Sequence, residues 1–248
     1  MKIIKKKSGI IIIGNEILSG KTLDRNSNFL CKKLLQKGID VQEVSVIPDI
    51  KKIIVEKINF YRKKFDYVFT TGGIGPTHDD ITSESIAEAF NVKLAINKEA
   101  RRRLENHYSD DVLTRARLKM AFIPKTAKLI DNPVSISPGF YIENVFVFPG
   151  VPKIFQIMIE EFFETIDKGK NYYQKNVTTI LSEGIIGEFI EEVQKKSISV
   201  EIGSYPYFKM GLFGVSLLIK GDKKKEVDEV SMEIFDYIKS QNGKPRLF

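Results

Sequence analysis

Apolar residues along this chain fall into two alternating kinds of run. Ile10–Ile13 is an unbroken β-branched run, as in a parallel strand covered on both faces. A polar stretch from Gly14 to Asp24 follows. A helical pattern comes next, with Leu23, Leu30 and Leu34 on one face and a stop at Gly38. Ile39–Ile47 predicts a second strand ending at Pro48–Asp49, and Ile50, Ile53, Ile54, Ile58 and Tyr61 recur at helical spacing. Phe65–Thr70 predicts a third strand, Thr71–Ile81 a long glycine-rich loop and Thr82–Phe90 a helix. Strands that alternate with helices predict a parallel sheet covered on both faces, with right-handed crossovers. The loops leaving the strand ends then share one edge, which gathers Gly14–Glu16, Asp49 and Gly72–Asp80 at a single rim.

Farther along, Asn97–Ala121 predicts two helices, one from Asn97 and one from about Val112. Ala127–Ile130, Gly139–Ile142 and Val145–Phe148 predict short strands. Val151–Ile166 predicts a closing helix with Pro152 in its first turn. Asp167–Asn171 is polar and reads as a linker, after which the pattern restarts. Asn176–Leu181, Val200–Gly203 and Phe213–Lys220 predict strands, and Gly187–Lys196 and Val227–Lys239 helices, before a tail at Lys244–Phe248. The expected architecture is an α/β domain over residues 1–168, a three-layer, mostly parallel sheet. A small ferredoxin-like α+β unit over 172–248 follows it.

The strongest chemical signal is Thr70-Thr71-Gly72-Gly73-Ile74-Gly75-Pro76-Thr77-His78-Asp79-Asp80-Ile81-Thr82. Three glycines just past a buried strand let backbone amides approach a ligand closely. The helix opening at Thr82 turns its positive end to the same place, which suits phosphate. A carboxylate beside phosphate is repulsive without a cation between them, so Asp79 and Asp80 point to Mg²⁺ or a similar hard divalent ion. Capping of the helix accounts for one of the two aspartates and leaves the other unexplained. Glu16, in Gly14-Asn15-Glu16, is a candidate for a metal or a ligand hydroxyl, and Asn26 for a polar ring edge. An ordinary turn with a helix cap at Asp24 is the simpler account of that loop. Asp49 reads by itself as an N-cap for the helix at Ile50. Two further loops are placed to close the site: Asn132–Gly139, which includes Ser137, and Pro149-Gly150-Val151-Pro152.

Composition narrows the picture. The chain has 248 residues, 42% of them hydrophobic, enough for a real core. Its formal charge of +7 comes mainly from scattered lysines, and the dense runs Lys5–Lys7, Arg101–Arg103 and Lys223–Lys225 lie far apart. That favours a solvated surface over a nucleic-acid footprint. One cysteine, Cys31, excludes an intrachain disulfide and fits a reducing compartment. No run reaches transmembrane length, and the basic start lacks a cleavage site, so a cytoplasmic protein without membrane partners is expected. His78 and His107 have no partner of zinc spacing. Tyr205-Pro206-Tyr207-Phe208 reads as a local hydrophobic turn rather than a stacking surface.

Thr71–Thr82 resembles the signature of the molybdopterin-binding MoaB/Mog family, TGG-x-G-P-x-x-x-D-x-T. The closer resemblance is to the N-terminal domain of competence/damage-inducible CinA proteins. It also takes in Gly14–Leu18, Asn132–Pro133, Pro138-Gly139-Phe140 and Pro149–Pro152. The similar domain of eukaryotic FAD synthases belongs to the same group. The resemblance implies ligand contacts at Gly14, Asn15, Glu16, Asn26, Thr71, Gly72, Gly73, Gly75, Pro76, Thr77, Thr82, Ser137, Gly139, Pro149 and Gly150. It implies functional aspartates at Asp49 and Asp80, and a homo-oligomer. The Mog branch implies adenylyl or metal insertion chemistry on molybdopterin. The CinA branch implies metal-dependent cleavage of nucleotide pyrophosphates such as ADP-ribose or FAD. Asn15 stands where CinA proteins usually carry aspartate, a lost charge that is expected to weaken metal binding and with it the pyrophosphatase reading. These 248 residues are not expected to include the family's deamidase domain, so deamidation is not carried over. The residues leave open pterin or dinucleotide, and a metal-dependent enzyme or a non-catalytic module. A phosphorylated small molecule is the common expectation.

Overall fold

Residues 6–108, 112–166, 173–209 and 211–248 are described by the computed structural model. The linker expected at Asp167–Asn171 lies outside them. Two compact units, Met1–Gly169 and Lys170–Phe248, divide the chain.

In the first unit β1 (Lys6–Ile13), α1 (Asn15–Leu18), α2 (Asn26–Gln36), β2 (Ile39–Ile47), α3 (Lys51–Lys64), β3 (Tyr67–Thr71) and α4 (Thr82–Ala89) come first. Then follow β4 (Leu94–Ile96), α5 (Lys98–His107), α6 (Arg115–Leu118), a 3₁₀ turn at Lys119–Ala121 and β5 (Phe122–Pro124). The unit closes with β6 (Lys128–Ile130), β7 (Gly139–Ile142), β8 (Val145–Phe148) and α7 (Pro152–Phe163). The main sheet has the order β2-β1-β3-β8-β7-β6. Its first four strands run parallel, and β7 and β6 are antiparallel additions.

Helices cover both faces, and the second half of β1 shows why Ile10–Ile13 is an unbroken apolar run. Ile11 and Ile13 pack in one layer with Ile54, Ile58, Val68 and Ile86. Ile10 and Ile12 enter the opposite layer with Leu30, Leu34, Phe69 and Phe155. Each buried isoleucine contributes on the order of 2 kcal/mol. Parallel pairing carries the C-terminal ends of β1, β2, β3 and β8 to one edge, where Gly14, Asp49, Gly72 and Pro149 follow directly.

Several boundaries differ from expectation. Leu23 is 75% exposed and lies ahead of α2, so only Leu30 and Leu34 form the buried face. Phe65 ends α3 rather than starting a strand, packed edge-on against Tyr61 at 5.0 Å between ring centroids. A β4–β5 pairing of three residues each was not foreseen. The helix expected from Val112 starts at Arg115, because the Thr114 side chain accepts from the Arg117 amide and caps it there.

The second unit comprises β9 (Tyr173–Thr179), α8 (Glu183–Lys196), β10 (Val200–Lys209), β11 (Leu212–Gly221), α9 (Lys224–Ser240) and β12 (Arg246–Leu247). Its antiparallel sheet has the order β10-β11-β9-β12, the ferredoxin-like arrangement. The expected tail is thus the fourth strand. Tyr205–Phe208 is strand, not turn: β10 lies on the sheet edge, where Pro206 is tolerated, and Phe208 meets Phe213 at 4.5 Å. No helix among the described residues is long and apolar enough to cross a membrane.

Candidate functional site

At the strand-end edge of the first unit lies a cleft of about 510 Å³. That volume suits a small-molecule ligand. Its wall includes Gly14, Glu16, Asp49, Gly72, Gly73, Gly75, Pro76, Thr77, Asp79, Asp80, Ser137, Pro149 and Gly150. Loops separated by more than a hundred residues therefore share one cavity.

Backbone contact forms the floor. Gly72 has φ 106°, its amide donates to Phe148 O at 3.1 Å, and a Cβ there would stand 2.0 Å from Ile13 O. Gly150 lies directly against it, its own notional Cβ 3.3 Å from Gly72 Cα. Gly73, at φ 69°, accepts from the Thr82 amide at 2.9 Å. The Thr82 hydroxyl donates to Gly72 O at 2.9 Å. These contacts turn the loop so that the amides of Gly73, Ile74 and Gly75 donate to no acceptor among the described residues.

Acidic groups meet this loop from two directions. Asp49 Oδ2 accepts from the Asn15 amide at 2.8 Å and ties the turn after β1 to the end of β2. It does not cap α3, whose N-cap is Ile50, without a side-chain hydrogen bond. Glu16 folds back over Gly14, where a Cβ would come 2.6 Å from its carboxylate. Thr77 organises the aspartate pair: its hydroxyl donates to Asp79 Oδ1 at 2.6 Å and to Asp80 Oδ2, and its amide donates to Asp80 Oδ2 at 2.8 Å. The Thr77 hydroxyl, then hydrogen bonding from its own backbone, holds the Asp79 carboxyl below the usual range. Asp79 Oδ2 and Asp80 Oδ1 take none of the Thr77 hydrogen bonds.

Other candidates lie behind the cleft. Asn26 is 5% exposed, and its Nδ2 donates to Thr71 Oγ1 at 2.9 Å and to Gly150 O at 2.8 Å. Thr71 donates in turn to Pro149 O at 2.8 Å. Asn26, Thr71 and Thr82 thus brace the loops rather than line the cavity. Gly139 is buried in β7, where a Cβ would meet Val147 O at 2.6 Å. Asn15 contributes its amide to Asp49, and its side chain is not part of the wall. Asp24 accepts from the amides of Asn26 and Ser27 at the start of α2, one residue ahead of the N-cap, Arg25.

The wall also contains Thr22, Met120 and Ile154, which sequence reasoning missed. Thr22 is held by its amide on Glu16 O at 3.0 Å. Met120 arrives from the 3₁₀ turn, and no local motif announces it. No set of three or more His, Cys, Asp or Glu residues able to hold a metal exists among the described residues. The Asp79 and Asp80 carboxylates each keep an oxygen that Thr77 leaves open, the donor type a hard divalent cation takes.

Comparison with known proteins adds family context. Residues 9–168 match the family described as "Probable molybdopterin binding domain", and residues 171–244 match "FAD synthase, middle domain". A CinA-like protein of Thermosipho melanesiensis is 32% identical over 91% of this chain, which spans 57% of that protein. A probable FAD synthase of Caenorhabditis briggsae is 29% identical over 93% of this chain, which spans 49% of that protein. The crystal structure of CinA, a protein of unknown function from Thermoplasma acidophilum, superposes with a TM-score of 0.62 at 33% identity. That match covers 65% of this chain and 98% of the other.

Proposed function

Because the chain belongs to the probable molybdopterin-binding domain family across residues 9–168, we propose that its cleft binds the phosphates of a phosphorylated pterin or nucleotide with a divalent cation. One observation carries this reading: the unpaired amides of Gly73, Ile74 and Gly75 and the carboxylates of Glu16, Asp49, Asp79 and Asp80 belong to the wall of one cleft. The amides would donate to phosphate oxygens, and the first turn of α7, which also borders the cleft, would add its positive end. Asp79 and Asp80 would hold the cation through the oxygens that Thr77 leaves open. When bound, such a cation supplies charge neutralisation and polarises a phosphoryl oxygen. Asp49 and Glu16 would orient or deprotonate a water or a ligand hydroxyl.

Of the two ligand classes, a nucleotide pyrophosphate is favoured. Relatives that match across both units carry the names CinA-like protein and probable FAD synthase. The second reading, a pterin phosphate in molybdenum cofactor synthesis, is supported by the family description. The test incubates the full chain with ADP-ribose, FAD and NAD plus Mg²⁺, Mn²⁺ or Co²⁺. Cleavage that disappears in Asp80→Ala supports a metal-dependent pyrophosphatase, and saturable binding without turnover supports a binding module. Neither binding nor turnover with any pair would count against the nucleotide reading.

A further inference from the structure

Thr77 is a hub. Its amide and hydroxyl hold Asp80, its hydroxyl also holds Asp79, and its carbonyl accepts from the Asp80 amide at 3.4 Å. The same carbonyl accepts from the Lys119 ammonium, 42 residues away. Lys119 makes this bond to a carbonyl while its charge also acts on the Asp79 carboxyl, whereas Lys51 pairs with Glu84 and Glu88, and Lys64 with Glu43. Its position is built. Lys119 opens the 3₁₀ turn that ends at buried Ala121, and the Ala121 carbonyl accepts from the Asn97 amide at 2.8 Å. Met120, between the two, lines the cleft. Lys119 itself borders a small pocket that shares Ile74, Gly75 and Asp80 with the cleft wall.

We propose that Lys119 is a positioning residue that clamps the Gly72–Asp80 loop at the Thr77 carbonyl and, through Thr77, sets the orientation of both aspartates. The physical basis is the strength of a charge-assisted hydrogen bond to a carbonyl with few other restraints. Among the described residues, the Thr77 carbonyl accepts only from Lys119 and, at 3.4 Å, from the Asp80 amide. The clamp itself needs no ligand; its consequence for affinity rests on the phosphate-site reading above.

Two arms test it on the full chain. In the first, NMR measures water exchange of the Thr77 and Asp80 amides in the free protein. Lys119→Met is expected to speed both by roughly five- to tenfold, and Lys119→Arg to restore them to within about twofold. The melting temperature of the Met variant should stay within about 2 °C of wild type, as for a surface substitution. Equal exchange in wild type and the Met variant, or no rescue by arginine, would overturn the proposal. In the second arm, calorimetric titration with ADP-ribose and Mn²⁺ is expected to show roughly five- to tenfold weaker binding for Lys119→Met, again rescued by arginine. Unchanged affinity in the Met variant counts against the clamp's importance for the site. If wild type binds no ADP-ribose, the nucleotide reading has failed, and the exchange arm still decides the clamp.

Discussion

Replacing Gly72 by alanine probes the joint on which the cleft is built. Two separate costs arise there. The backbone has φ 106°, a conformation that costs a side-chain-bearing residue about 1–3 kcal/mol. The new Cβ would lie 2.0 Å from Ile13 O, whereas real Cβ atoms essentially never approach within 3.0 Å. The obstacle is main chain at the end of the central strand β1, so no side chain can rotate away. Either β1 or the loop must move by about 1 Å, which adds about 1–3 kcal/mol, as in an overpacked core. The sum is roughly 2–6 kcal/mol, or a fall in melting temperature of roughly 5–20 °C. Gly20→Ala isolates the first cost, since Gly20 has φ 71° and nothing within 4 Å of its notional Cβ. It should lose only about 1 kcal/mol. Scanning calorimetry of the three proteins measures the difference. A Gly72→Ala protein no less stable than Gly20→Ala would refute the argument that this glycine exists for backbone contact with β1.

Three further outcomes follow from the same contacts. Asn26→Ala removes the donor shared by Thr71 and Gly150 and leaves a carbonyl without it; urea titration should show a loss of about 2–4 kcal/mol, and a loss below about 0.5 kcal/mol would contradict the bracing role. Burial pushes the Tyr61 phenol up to about 12, even though the Ser45 hydroxyl lies 2.6 Å away. Its unfolded state ionises near pH 10, so stability should fall as pH rises from about 10 and level off beyond about 12; Tyr61→Phe should flatten that part of the curve, and parallel curves would dismiss the assignment. Asp49→Ala frees the Asn15 amide and should weaken ADP-ribose binding by roughly tenfold, with little change in melting temperature because the bond is exposed; titration calorimetry reads the first and a thermal melt the second.

The parallel core was legible because burial on both faces leaves an unbroken apolar run, as in Ile10–Ile13. That in turn brought the three strand-end loops to one edge. Legibility failed where local pattern and tertiary contact part company. Leu23 matches the helical spacing of Leu30 and Leu34 yet stays exposed, because α2 begins three residues later. The β4–β5 pair is too short for any periodicity. Asp49 looks like an N-cap by its position before a helix, and only the fold reveals that the Asn15 amide is nearer to hand. Asn26, Thr71, Thr82 and Gly139 fall within motif-like stretches but serve the loops from behind. Met120 and Lys119 reach the site through the packing of a segment whose sequence says only that it is helical.

The central claim is that the amides of Gly73, Ile74 and Gly75 grip phosphate while Asp79 and Asp80 engage its cation. Titrating ¹⁵N-labelled protein with pyrophosphate and Mg²⁺ tests this most directly. Saturable amide shifts centred on those three residues, abolished by Asp80→Ala, are the predicted result. Shifts centred elsewhere, or none at saturating pyrophosphate, would contradict it.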